Sequence, residues 1–374
     1  MTVADLNIIK ADIYNTPVSG QSSYVFVQVQ LYDGSFGCGE ATYHRAQDQV
    51  IEAINSVIPR LINHPCEHID GLTSELIDES TDLPERTALY ALETAVYEAR
   101  ARSKYLPAYE LMKSGASRHI NYYANLNRNT DRTPEGWANL ALEAVNAGYK
   151  GIKLAPLDGI DWHNTENNHK VIDGVLESLD SIRKRIGYKP LVMIDCHWCF
   201  DKSQAKNFIN KIEQFSIEWV EALIPEETHM APDLKSLRDH ANNKGIKMSG
   251  GEFLSGFNAF LPMLGQSCYD VINPDLRFCG IKDMCRLADL AEKKQILFSP
   301  HNPVGPLNEI ASAHICATTQ AFYLLEKQYC ESTIAESLID DSSCPLVNGE
   351  RELSTGHGWG LSLTENSRAN LVAD

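Results

Sequence analysis

From about Ile120 onward the chain repeats one pattern: a short apolar run, then a polar segment with helical periodicity. The runs are 120–126, 151–155, 191–195, 217–221, 246–252, 271–275, 296–301 and 320–326. The segments between them include "DGVLESLDSIRKRIG" and "IKDMCRLADLAEKKQ", each with apolar residues at three- and four-residue spacing. Alternation of this kind predicts βα units on a parallel sheet. Eight strands over about 200 residues fit a closed βα barrel. An open doubly wound sheet is the alternative, but no run is followed by a glycine-rich phosphate turn.

Residues 1–116 read differently. "SYVFVQVQLYDGSFGCGEA" alternates apolar and polar positions around a turn, a hairpin signal, and "TALYALETAVYEARARSKY" has helical spacing. The expected organisation is an α+β region over 1–116, a barrel over 117–342, and a turn-rich tail over 343–374 that returns to the N-terminal region.

Polar residues end the runs. Asp195, Glu221 and Glu252 close the third, fourth and fifth. In a βα barrel that end carries the chemistry. Three acids converging from adjacent strands repel one another unless a cation joins them, and an all-oxygen set suits Mg²⁺. The stretch "DCHWC" admits a second reading, a Cys196-x-x-Cys199 redox pair or half of a zinc site. Strand alternation puts Asp195 and His197 on one face and Cys196 behind, and no second C-x-x-C completes a zinc set. Asp275 ends run six. His301 closes run seven, just past its strand, in "SPHNPVGP", where an Asp–His pair makes a base. Glu326 closes the last run.

The formal net charge of −17 offers no basic surface for nucleic acid or an anionic membrane. No apolar run reaches bilayer length, the N-terminus lacks a leader pattern, and ten scattered cysteines suit a reducing compartment. The expectation is a cytoplasmic protein.

The ordered set "FGCGEA", "GYKGIKLAP", "MIDCH", "WVEALIPEE", "SGGE", "INPDLRFCGI" and "PHNPVGP" resembles the enolase superfamily, mandelate racemase type, over essentially the whole chain. "FGCGEA" is similar to that family's capping-domain glycine turn. Within the family the chain looks most like the sugar-acid dehydratases, galactonate dehydratase above all. The resemblance implies a modified (β/α)8 barrel with an α+β capping domain, Mg²⁺ on Asp195, Glu221 and Glu252, His301 as base oriented by Asp275, and His197 as acid. It further implies Glu326 and Lys153 on carboxylate or enediolate oxygens, Arg45 and Asn302 as substrate contacts, lid loops at Pro17–Tyr24 and Tyr43–Gln47, and an even-numbered homo-oligomer. The substrate would be an aldonate or anhydro-aldonate.

One position departs from the family. Where many relatives carry Lys-x-Lys, this chain has Lys153-Leu154-Ala155, and Ala155 transfers no proton. A hydroxyl leaving group makes the protein a dehydratase; a ring ether makes it a 3,6-anhydrogalactonate-type cycloisomerase. A racemase, a silent metal-dependent sugar-acid binder and a thiol oxidoreductase are the remaining readings.

Overall fold

The computed structural model describes residues 6–19, 22–78, 80–160 and 165–372, without the side chains of 165–167. Residues 1–5, part of the stretch read as lacking a leader, and residues 20 and 21 of the expected lid Pro17–Tyr24 lie outside the described residues.

The chain opens with a three-stranded antiparallel sheet, β1 (Ile8–Pro17), β2 (Ser23–Leu31) and β3 (Phe36–Glu40). Helices α1 (Gln47–Leu61), α2 (His68–Leu76), α3 (Leu83–Ser103) and α4 (Ala108–Met112) follow. "FGCGE" is strand β3, not a turn. Its glycines serve packing: a Cβ on Gly39 would lie 2.0 Å from the Ala91 carbonyl oxygen, and one on Gly37 2.0 Å from that of Ala95. Strand and helix touch backbone to backbone, which is why α3 presents alanines there.

The barrel strands are β4 (His119–Asn125), β5 (Gly151–Leu154), β6 (Leu191–Asp195), β7 (Trp219–Glu221), β8 (Lys247–Gly250), β9 (Val271–Ile272), β10 (Leu297–Phe298) and β11 (Leu325–Gln328). They pair in parallel in that order. The ring closes through β11 against β4 and through a parallel bridge between Phe298 and Phe322. Helices α5 (Pro134–Asn146), α6 (Thr165–Ile186), α7 (Lys202–Ile212), α8 (Ala231–Asn242), α9 (Gly256–Gly265), α10 (Leu276–Lys294) and α11 (Pro306–Cys316) connect the strands. The helix starts follow local signals: Asp201 and Gln204 form a reciprocal capping box at α7. Tyr123, Met193, Trp219, Val271 and Leu324 pack as a separate buried cluster, all but Leu324 on barrel strands.

The later strands are shorter than their apolar runs. Runs 271–275 and 296–301 contribute two residues each, and Asp275 and His301 stand beyond them in loops that meet through a single bridge. Glu326 lies inside β11, not at its end.

After α12 (Thr333–Glu336) and β12 (Ile339–Asp340), the tail forms β13 (Leu346–Val347), β14 (Glu350–Glu352), β15 (Ser362–Leu363) and α13 (Glu365–Arg368). β14 pairs with barrel strand β4. Further on, Val372 N–H donates to the Ile13 carbonyl at 2.8 Å, and Trp359 Nε1 donates to the Cys38 carbonyl at 3.1 Å. The tail therefore bonds to the barrel first and to the N-terminal sheet second. Among the described residues, no helix is long and apolar enough to cross a membrane.

Candidate active site

Asp195 and Glu221 are register partners at the ends of β6 and β7. Glu252 stands two residues past β8, carried there by a turn in which Gly251 has φ +101°. That conformation is open to glycine and strained for other residues. One carboxylate oxygen from each acid lies within 4.8 Å of the other two, and all three side chains are buried.

Three buried acids need counter-charge, and the protein supplies part of it. Lys153 Nζ sits 2.8 Å from Glu221 Oε1 and 3.1 Å from Glu326 Oε1. His197 Nε2 is 2.9 Å from Asp195 Oδ2, and His301 Nε2 is 3.1 Å from Glu252 Oε2. The balance stays incomplete at Glu252. Burial and the charges of Asp195 and Glu221, against the pull of His301, push its carboxyl up to about 8. Its Oε2 is buried without a hydrogen-bond partner. An all-oxygen, acid-only set with an unsatisfied oxygen fits a hard divalent cation.

His197 reaches the site by a different route from strand alternation. The strand ends at Asp195, and His197 and Trp198 both adopt left-handed backbone, φ 47° and 56°. This costs on the order of 1–3 kcal/mol per residue. Trp198 N–H bonds the Ala222 carbonyl, and its indole lies 3.3 Å from Glu226. Cys196 is fully buried and Cys199 half-buried; all ten cysteines are free thiols. Cys196 sits in the main hydrophobic core and Cys199 packs against it.

On the other side, His301 Nδ1 lies 2.9 Å from Asp275 Oδ2. Asp275 caps α10 by accepting the Arg277 N–H at 2.8 Å, and Arg277 Nε lies 2.9 Å and 3.1 Å from its two oxygens. Burial would raise the Asp275 carboxyl; Arg277 and His301 bring it down to about 2. Burial would lower His301, but Glu252, Glu326 and Asp275 hold its ring up to about 9.

A cavity of about 420 Å³ opens over these groups. Asp195, Glu252, His197 and His301 line it, with Tyr43, Trp198, Phe253 and Phe278 as an aromatic wall and His44, Asn125, Asn127, Arg128 and Gln328 as further polar groups. Four expected contacts fall outside this lining. Lys153 is fully buried and taken by its two glutamates. Glu326 is fully buried and accepts from Asn125 Nδ2 and from the Asn302 N–H. Asn302 is buried, and Arg45 is exposed while its neighbour His44 turns inward. Arg277 and Arg128 escaped the sequence reading, and His44 stood in it only as part of the expected lid Tyr43–Gln47. Only "DLR", with an arginine two residues past the paired aspartate, carried a signal for one of them.

Two family models match the chain. "Mandelate racemase / muconate lactonizing enzyme, N-terminal domain" matches residues 12–113, and "Enolase C-terminal domain-like" matches residues 136–367. The chain is 26% identical over 364 residues to D-xylonate dehydratase of Haloferax volcanii, covering 94% of this chain and 86% of that one. It is 24% identical to D-gluconate dehydratase of Thermoproteus tenax, covering 97% and 73%. A mandelate racemase/muconate lactonizing enzyme-like protein from Rubrobacter xylanophilus superposes with a TM-score of 0.87 at 23% identity, covering 98% of both chains. With the family models spanning most of its length and three acids gathered at the mouth of its barrel, the chain belongs to the enolase superfamily, mandelate racemase/muconate lactonizing enzyme type.

Proposed function

We propose that the protein is a Mg²⁺-dependent sugar-acid dehydratase that removes water across C2 and C3 of an aldonate to give a 2-keto-3-deoxy acid. The observation that carries this reading is the pair of imidazoles in one cavity, His197 against Asp195 and His301 against Glu252. The dehydratases named above support the reaction class.

Asp195, Glu221 and Glu252 would hold the ion. Bound there, Mg²⁺ supplies positive charge that offsets the substrate carboxylate as the α-carbon loses its proton. His301, its Nδ1–H fixed by Asp275, takes the α-proton on Nε2. His197 gives a proton to the C3 hydroxyl, which leaves as water while the C2–C3 double bond forms; the resulting enol becomes the ketone. Asp275 and Arg277 position the base. Lys153 and Glu326 position Glu221 and Asn302, and do not touch substrate. Trp198 and Phe253 keep bulk water from the reacting carbons.

The test is incubation of the Mg²⁺-loaded protein with a panel of aldonates, aldarates and anhydro-aldonates in D₂O, read by semicarbazide for keto acid and by NMR for α-deuterium. Keto acid from one or more aldonates is expected. Deuterium exchange without keto acid on every substrate would make the protein a racemase. Turnover restricted to anhydro-aldonates would make it a cycloisomerase.

A further inference from the structure

The proton-transfer scheme leaves five polar residues on the cavity wall without a task. Two of them are committed to the protein. Asn125 Oδ1 accepts the Asn127 N–H at 2.8 Å, and Asn127 Oδ1 accepts the Ala155 N–H at 2.7 Å.

The other three come from separate parts of the chain: His44 from the N-terminal region, Arg128 from the loop after β4, and Gln328 from the end of β11. Arg128 Nη2 lies 2.6 Å from His44 Nε2, and Arg128 Nε lies 2.6 Å from Glu331 Oε2. A guanidinium only donates, so His44 Nε2 accepts and the imidazole proton sits on Nδ1. His44 also hydrogen-bonds the backbone of Pro303, which offers only a carbonyl. The ring is therefore neutral and fully used. Glu331, its side chain 6% exposed, lies behind Arg128 and lines the adjoining cavity. Arg128 and Glu331 cancel. Gln328 lines both cavities, and its buried Nε2 has no partner.

We propose that Arg128 and Gln328, with His44 holding Arg128 in place, form the subsite for the hydroxyl-bearing tail of the substrate, and that Glu331, by neutralising Arg128, makes this subsite select a neutral polyol over a tail ending in a second carboxylate. The inference rests on the sugar-acid reading above. A hydroxyl satisfies the orphaned Gln328 amide and brings no charge. A second carboxylate competes with Glu331 for one guanidinium, and two like charges in a site of low dielectric repel. Selection here works by repulsion built into the wall as well as by attraction.

Matched acids test it: gluconate with glucarate, xylonate with xylarate, galactonate with galactarate. Each is titrated calorimetrically into Mg²⁺-loaded wild type, Glu331→Gln and Gln328→Leu, all carrying His301→Asn to stop turnover. Wild type is expected to bind the aldonate of its preferred configuration at least about tenfold tighter than the matching aldarate. Glu331→Gln should shrink that ratio about tenfold, chiefly by tightening the dianion. Gln328→Leu should weaken the aldonate about tenfold by removing its donor. An unchanged ratio in Glu331→Gln while aldonate binding persists overturns the proposal, as does a wild-type preference for the dianion. Turnover assays on proteins with His301 intact separate the two readings. Dehydration with an unchanged ratio removes the subsite and leaves the reaction. The expected ratios without dehydration keep the subsite and remove the reaction. Failure of every acid to bind removes both.

Discussion

His301 and Asp275 meet at 2.9 Å, Nδ1 to Oδ2, from two loops that leave the barrel after strands of only two residues. A parallel bridge between their backbones aligns them, and the Arg277 side chain holds both oxygens of the carboxylate. The carboxylate fixes the proton on Nδ1 and leaves Nε2 as the base.

Asp275→Asn should therefore cut α-deuterium exchange by about 1,000- to 10,000-fold, because an amide no longer selects the useful tautomer. His301→Asn should abolish exchange on every substrate. Exchange surviving in His301→Asn, measured by NMR in D₂O, would remove His301 from the base role.

His197→Asn should separate the two halves of the reaction. Keto-acid formation should fall by about 100- to 10,000-fold, the usual worth of a positioned proton donor. α-Exchange should fall less. Equal losses in both assays would place His197 in the support of Asp195, its partner at 2.9 Å, and not in leaving-group protonation.

EDTA should abolish keto-acid formation, and Mg²⁺ should restore it. The ion should also raise the melting temperature, since Asp195, Glu221 and Glu252 crowd within 4.8 Å without it. At an ion concentration about 100 times Kd the stabilisation is about 2.7 kcal/mol. Glu252→Gln should lose most of the Mg²⁺-induced shift in calorimetry.

Away from the site, Glu93 of α3 accepts the Ile281 N–H at 3.0 Å, next to the kink at Gly280 in α10. Burial, reinforced by Asp70 and Asp283 and opposed by that N–H and Lys282, pushes its carboxyl up to about 7 from 4.5. The folded state therefore holds a proton that the unfolded state releases first. The contribution is complete below about pH 4.5 and is lost as pH rises to about 7, amounting to about 3 kcal/mol. Glu93→Gln keeps the acceptor and has no proton to lose. Denaturant melts should show the variant equal to wild type near pH 4.5 and about 3 kcal/mol more stable at pH 8. A difference independent of pH would refute the assignment.

The barrel was legible because most parallel strands are buried on both faces and read as short apolar runs at regular spacing, although β8 and β11 carry polar residues within them. Its catalytic end was legible because a carboxylate closing such a run usually marks where the chain leaves the core, with Lys153 and Glu326, buried within β5 and β11, as the exceptions. Asp195 and Glu221 follow from that rule alone, since neighbouring strands bring their ends to one level. Glu252 and His197 reached the expected place by turns that strand periodicity does not describe: a left-handed pair at 197–198 and a glycine at 251. The pairing of Lys153 and the inward turn of His44 were beyond reach. Whether a lysine meets substrate or is consumed by two glutamates 68 and 173 residues away depends on where those strands stand once the barrel closes. Whether His44 or Arg45 faces inward depends on how the N-terminal region seats against the loops carrying Pro303 and Arg128. Local patterning carries the chemistry of each residue and the period of its element; contacts between distant segments come from closure and docking, and these assign the charges their partners.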